Sequence, residues 1–372
     1  MKKVLAYLIL AVFSPCLAQA QNAITGHPDW LIKPGYDQCF IMVHRANVAH
    51  LVNGYPSIFE LNVAKPTLGN KLWQIENNLP NLGLSFQYIA FKNPDELGSA
   101  FALAPYVEIP LNKIEKPSRL YMRLCWGISY LSKDFDMATN HKNVAIGSKW
   151  NAYVQFKWFW QIPISKTIQF EPGFTFNHAS NGKIQNPNLG LNVMGVSAAL
   201  NFRIPGKTQV QVNRIDSSTR VRSRYELLVF SAIGMNERSI DGKQLGTFVF
   251  STALQRNIRN THKFSVGLDA YYDENYQTDY YNAFGESAEG IERWRISARV
   301  GYSYNVGRLS FPIEVGYYIF QKTNPDAMLV SRIGLRYYFA NGLVAHWGLR
   351  THYAVAYNFE FGIGYRFCLH AK

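Results

Sequence analysis

Charge is scarce in this chain. Only 17% of its 372 residues are Asp, Glu, Lys or Arg, well below the roughly 25% of an ordinary soluble protein. Long apolar runs are missing too. After the first twenty residues none approaches the ~18 that a membrane-crossing helix needs, which excludes a helical membrane protein. The four cysteines, Cys16, Cys39, Cys125 and Cys368, lie far apart and form no CxxC pair. Neither a zinc knot nor a disulfide framework is indicated. No Gly-rich phosphate loop, HExxH or GxSxG occurs, so no metal and no cofactor is expected. What is plentiful is aromatic: 23 Tyr and 24 Phe in a chain that is 48% hydrophobic. Such content excludes disorder. An all-β protein with one apolar face remains.

The first residues read as a secretory leader. Lys2 and Lys3 precede an apolar stretch from Val4 to Phe13, too short to span a bilayer, and Ala18-Gln19-Ala20 is a small-x-small cleavage site. The expected signal peptide is residues 1–20. Cys16 suggests a lipid-attachment alternative, but Pro15 and Leu17 flank it poorly for that chemistry. Removing a leader with two Lys and no acid takes the net charge from +13 to 13 − 2 = +11.

Beyond the leader the pattern has period two. From Trp150 to Ile162 the even positions are Trp150, Ala152, Val154, Phe156, Trp158, Trp160 and Ile162, against polar Asn151, Gln155, Lys157 and Gln161. From Arg293 to Val306 the apolar row alternates with Arg293, Arg295, Ser297 and Arg299. The segment Val355 to Phe367 repeats the scheme. Alternation of this length fits strands that cross a bilayer with one face toward lipid and one toward a wet lumen. Aromatics at strand ends, such as Trp150 and Tyr337-Tyr338, suit an interfacial girdle. A large soluble β-sandwich would have shorter strands and a polar outer face. The expectation is an all-β, transmembrane antiparallel β-barrel of the outer-membrane type, with about 14 strands and 16 possible. The two counts differ in whether the segments near 36–46 and 342–353 are included as strands. Tight turns are expected at Asn305-Val306-Gly307-Arg308 and Ala340-Asn341-Gly342, and longer loops at 133–149, 205–221, 236–244 and 274–290. Residues 21–372 read as one continuous barrel, with 205–221 the nearest thing to a boundary.

One segment breaks the barrel's own rule that the outward row is apolar. In Lys166 to Gly182 the even positions Ile168, Phe170, Phe174 and Phe176 form an apolar row, and the same parity then carries His178 and Ser180. The next apolar row, Met194 to Ile204, begins with Asn192. If the two strands pair as a hairpin, His178, Ser180 and Asn192 meet on the outer face. Polar groups there are costly, so their clustering points to function. A neighbouring His can take the proton of a Ser, a third group can hold the His tautomer, and donors nearby can stabilise an oxyanion. The plainer reading is that Ser180-Asn181-Gly182 is turn chemistry and His178 an interfacial side chain.

The stretch Phe176-Asn177-His178-Ala179-Ser180-Asn181-Gly182, followed by Pro187-Asn188-Leu189-Gly190-Leu191-Asn192, resembles the PagL family of lipid A 3-O-deacylases. These are outer-membrane barrels that remove an ester-linked acyl chain from lipid A. The resemblance implies Ser180 as nucleophile and His178 as base. It implies oxyanion donors at the Gly182 amide and Asn188, with Asn181 matching the family's Asn after the Ser. The family expects Glu at position 192, where this chain has Asn. Asn192 can still orient the ring as the acceptor of its N–H. The resemblance is specific over about 166–204 and covers 21–204 as the PagL-like part, leaving 205–372 as additional strands.

The function expected is therefore an outer-membrane serine esterase acting on lipid A or lipopolysaccharide, in the outer membrane of a Gram-negative bacterium. The basic net charge suits a phosphorylated lipid, and the compartment disfavours nucleic acid. Two alternatives stand beside it. A porin-like transport barrel is suggested by the inner row Arg293, Arg295 and Arg299, and a non-catalytic scaffold by Asn192. Near the start Lys33, His44, Arg45 and His50 suggest a periplasmic or plug-like segment.

Overall fold

The computed structural model describes residues 24–26, 29–112, 118–206, 210–212, 225–323 and 327–369. The expected leader, residues 1–20 with Cys16, lies outside them, as does most of 205–221. A short pair, β1 (Ile24–Gly26) with β10 (Val210–Val212), stands apart from the main sheets. Eight strands form the first sheet: β2 (Trp30–Ile41), β3 (Ser57–Pro66), β4 (Asn81–Asn93), β5 (Gly98–Pro110), β6 (Arg119–Leu131), β7 (Trp150–Pro163), β8 (Ile168–Ser180) and β9 (Leu191–Ile204). Eight more form the second: β11 (Tyr225–Glu237), β12 (Gln244–Arg259), β13 (His262–Asp273), β14 (Trp294–Val306), β15 (Leu309–Phe320), β16 (Leu329–Tyr338), β17 (Leu343–His352) and β18 (Val355–Leu369).

The single barrel of about 14 strands is not what forms. β9 pairs back onto β2, with Trp30 opposite Ile204, and β18 pairs back onto β11, with Tyr225 opposite Leu369. The 16 strands close as two separate antiparallel barrels of eight. Period-two patterning sets each strand's faces but says nothing about which strand closes the ring.

An eight-stranded barrel is just wide enough for its own side chains to fill it, and both are filled. In the first, Lys33 donates to Glu108 (2.8 Å) and Glu171 (3.0 Å). Arg123 joins Glu60 and Glu108, and Lys157 joins Asp37 and Glu60. In the second, Arg299, Arg332 and Arg336 converge on Glu314, while Arg295 and Arg350 share Asp273. These charges tolerate burial because each has partners. The wet lumen expected from the polar rows is thus a packed ionic core. Arg295 and Arg299 belong to it, whereas Arg293 ends the short 3-10 turn Gly290–Arg293 before β14 and donates to Ala288 O. Outward positions are apolar and open: Phe174 is 57% exposed and Ile363 77%, the inverse of a soluble sheet and suited to lipid.

The upper end is defined here as the end where β8 finishes. Over the first barrel at that end, Val48, Leu51, Leu97, Ala145 and Ile146 form an apolar cap from three loops. Lys33 sits in the ionic core, His44 in the loop after β2, and His50 beside Lys142 O (2.8 Å). Lys33, His44 and His50 are thus divided between the barrel core and its end loops instead of gathering in a plug. Their side chains follow strand and loop geometry that charge alone does not encode.

The barrels touch along a seam. Val107, Ile109, Met122, Leu124 and Trp158 of the first pack with Tyr304, Val306 and Phe311 of the second. Higher up, the Trp126 and Trp347 rings meet edge to face at 5.4 Å. At the far end, α1 (Leu72–Glu76) brings Trp73 against Gly307, whose φ of +65° makes the two-residue turn before β15. There Asn260 donates to Glu76 (2.7 Å), and the Tyr304 hydroxyl donates to Asn77.

Candidate active site

Strand β8 carries Phe170, Phe174 and Phe176 on its outer face, and the unbroken alternation brings His178 and Ser180 onto the same face. The partner strand places Asn192 directly opposite His178. Directly opposed residues in an antiparallel pair bring their side chains within reach. Here Asn192 Oδ1 lies 2.6 Å from His178 Nδ1, and His178 Nε2 lies 3.1 Å from Ser180 Oγ. An amide oxygen can only accept, so Nδ1 carries the proton and Nε2 is left to accept from the hydroxyl. The three side chains form one hydrogen-bonded chain. Ser180 is 4% exposed and Asn192 9%, so the chain is largely shielded from solvent.

Residues 181–190 then fold over Ser180. Gly182, with φ of +63°, begins the turn, and Gly190, with φ of +78°, ends it. Both sit in the left-handed region that glycine enters at least cost. A Cβ on Gly190 would stand 2.9 Å from the imidazole Cε1, so the close approach to His178 needs a bare backbone. The Asn181 amide N–H donates to Asn188 Oδ1 (3.1 Å), and the Asn181 side chain donates to Ser148 Oγ (3.0 Å) and Gln185 O (2.9 Å). Asn188 Nδ2 is buried and has no partner among the described residues. A buried amide donor without an acceptor costs free energy unless something occupies it. Of the six residues read from the sequence, His178, Ser180 and Asn192 are in direct contact. Asn181, Gly182 and Asn188 lie in the loop that closes over them.

Other residues escaped the sequence reading. The loop before β7 supplies Ser148, and its Ala145 O accepts from Gly190 N (2.9 Å). Gly147 leaves no room for a side chain against Gln185 and Pro187 O, where a Cβ would sit within 2.8 Å. His44, read from the sequence as part of a plug-like segment, instead reaches this loop, with Nε2 2.9 Å from Leu189 O. These contacts join segments far apart in the chain, so no local motif announces them.

The model of lipid A 3-O-deacylase (PagL) matches residues 58–201, and that of the acyloxyacyl hydrolase C-terminal domain matches 223–370. Together they span most of the chain, one on each barrel. The chain belongs to the PagL family. A search for curated relatives of similar sequence found no match. Among solved structures, Neisserial surface protein A aligns at TM-score 0.31 with 9% identity, over 46% of this chain and 96% of that one. The KdgM porin aligns at 0.19 with 7% identity, and a Rhodopseudomonas blastica porin variant at 0.17 with 8%. Each of these two covers 91% of this chain and 99% of the other. At such scores the two-barrel architecture rests on the chain's own strand pairing. PagL-family membership makes the general activity that of a lipid A deacylase, a hydrolase.

Proposed function

We propose that this PagL-family chain is an outer-membrane serine esterase. It hydrolyses an ester-linked acyl chain of lipid A through Ser180, His178 and Asn192 on the lipid-facing wall of the first barrel. The observation that carries the reading is the continuous Asn192–His178–Ser180 hydrogen-bond chain on an otherwise apolar face. His178 Nε2 takes the Ser180 proton as Oγ bonds to the acyl carbonyl carbon. The carbonyl oxygen becomes an oxyanion, met by the Gly182 amide and by Asn188 Nδ2, whose missing partner it would be. The imidazolium then gives its proton to the departing sugar oxygen, leaving an acyl-serine. Water attacks that ester, His178 takes its proton and returns it to Oγ, and the fatty acid leaves. Asn181 serves by holding Asn188 and the loop backbone in place. Asn192 fixes the ring tautomer without lending the charge that a Glu would.

Lipid A as substrate and the outer membrane as location follow the family, and the apolar outer wall suits both. Conduction is disfavoured, because two of the three Arg residues that suggested a channel, Arg295 and Arg299, are ion-paired inside a filled barrel, and Arg293 lies outside it. The test is Ser180→Ala in membranes where the barrels remain folded, with lipid A analysed by mass spectrometry. Loss of the deacylated species supports the reading. Deacylation unchanged by the substitution overturns it.

A further inference from the structure

The loop that closes over Ser180 is held from two sides. On one side are Ala145, Gly147 and Ser148 of its own barrel. On the other side is the second barrel. Glu237, the last residue of β11, is buried and accepts from the Asn186 backbone N–H through its carboxylate, while its carbonyl accepts from Asn186 Nδ2 (2.7 Å). The Glu237 N–H donates to Lys183 O (3.0 Å). Gln244 of β12 donates to Ile184 O (3.2 Å). The Phe359 ring of β18 lies so close to Gly182 that a Cβ there would be 2.5 Å from it. Four of the five loop residues 182–186, namely Gly182, Lys183, Ile184 and Asn186, thus meet the second barrel. They separate Ser180 from Asn188, whose buried amide Nδ2 lacks a partner among the described residues. A charge-assisted hydrogen bond to a backbone amide is about twice as strong as a neutral one. Glu237 is therefore the strongest single tie in this set.

We propose that the second barrel acts as a strut for the oxyanion loop of the first, with Glu237 as the positioning residue that fixes where Asn188 and the Gly182 amide point. This rests on the esterase reading above. The strut touches no substrate. It acts by holding donors where the oxyanion forms, so its effect falls on the chemical step. Binding of the lipid, which the apolar wall provides, is left nearly intact.

The test uses the full chain in detergent-solubilised form with purified lipid A, comparing Glu237→Ala, Glu237→Gln and Phe359→Ala. Removing one oxyanion donor outright costs an enzyme ~10²–10³-fold in kcat. Glu237→Ala, which only loosens the donors, is expected to lower kcat by about 10- to 100-fold with KM nearly unchanged. Glu237→Gln keeps an acceptor for the Asn186 N–H and is expected to restore most of the loss. Phe359→Ala tests the same strut from another strand, with a smaller fall in kcat. Gel mobility of the heated and unheated protein reports folding for each. Equal kcat in a folded Glu237→Ala variant and the wild type overturns the strut. So does a loss that appears in KM, or one that Glu237→Gln fails to restore. If Glu237→Ala does not fold, the kcat and KM of Phe359→Ala decide in its place. No hydrolysis by the wild type removes the esterase reading itself. That result is distinct from an active wild type indifferent to position 237.

Discussion

The seventh strand of each barrel makes the sharpest contrast in the molecule. β8 ends on its outer face with His178 and Ser180, and His178 faces Asn192 across the hairpin. β17 ends on the same face with Leu349 and Thr351, and Leu349 faces Phe359. The connection after β8 runs through ten residues, whereas Tyr353 and Ala354 alone join β17 to β18. A histidine does end β17, but its parity is inward. His352 sits 3.0 Å from the Tyr318 hydroxyl and packs on the Tyr357 ring. Two barrels with the same strand number and the same ionic filling thus differ where chemistry would occur. What separates them is one step in parity and the length of a single loop. The second barrel spends the corresponding place on contact, since Phe359 presses on Gly182 of the first.

Four sets of substitutions would break or sharpen that comparison. The largest effect is expected from Ser180→Ala or His178→Ala. Each should lower lipid A deacylation by on the order of 10³-fold or more, read as released fatty acid, because the couple acts as a unit. Next, Arg123→Met in the first barrel and Arg332→Met in the second should each destabilise their own barrel by about 3–5 kcal/mol, since each strands buried carboxylates. Urea unfolding followed by gel mobility would measure this, and a marked inequality would show that the two ionic cores are not equivalent. Asn192→Glu should then raise kcat about tenfold or more at neutral pH by adding the charge that steadies an imidazolium. A fall would mean that the site is built around the amide. Smallest of all, Leu349→His with Thr351→Ser in a Ser180→Ala background should yield no hydrolysis. The couple would be present, but the two-residue turn offers no donors. Activity there would show that the loop contributes little.

Much of this was legible in sequence order. The alternation in Trp150–Ile162 and Arg293–Val306 marked strands and faces because the side-chain period of a strand is two. The parity of His178 and Ser180, and the place of Asn192 at the start of the next row, followed from the same rule. Closure did not follow. Trp30 meets Ile204 and Tyr225 meets Leu369 across most of a barrel's length of chain, and no local pattern encodes a pairing that distant. The polar segment after Ile204 was the one visible hint, longer than a turn between neighbouring strands requires. The filling of the lumens was misread for a related reason. Lys33, Glu108 and Glu171 are complementary only once the barrel brings them together, and a row of charges reads equally well as the wall of a channel. The hold of Glu237 on Asn186 was invisible, because it joins two barrels that the pattern did not separate.

A serine-reactive phosphonate bearing an acyl-like chain tests the central claim most directly. Applied to the folded protein in membranes and read by peptide mass spectrometry, it should modify Ser180, and the modification should vanish in His178→Ala. Modification of another serine, or labelling of Ser180 that is indifferent to His178, would contradict a proton-transfer couple on the outer wall of the first barrel.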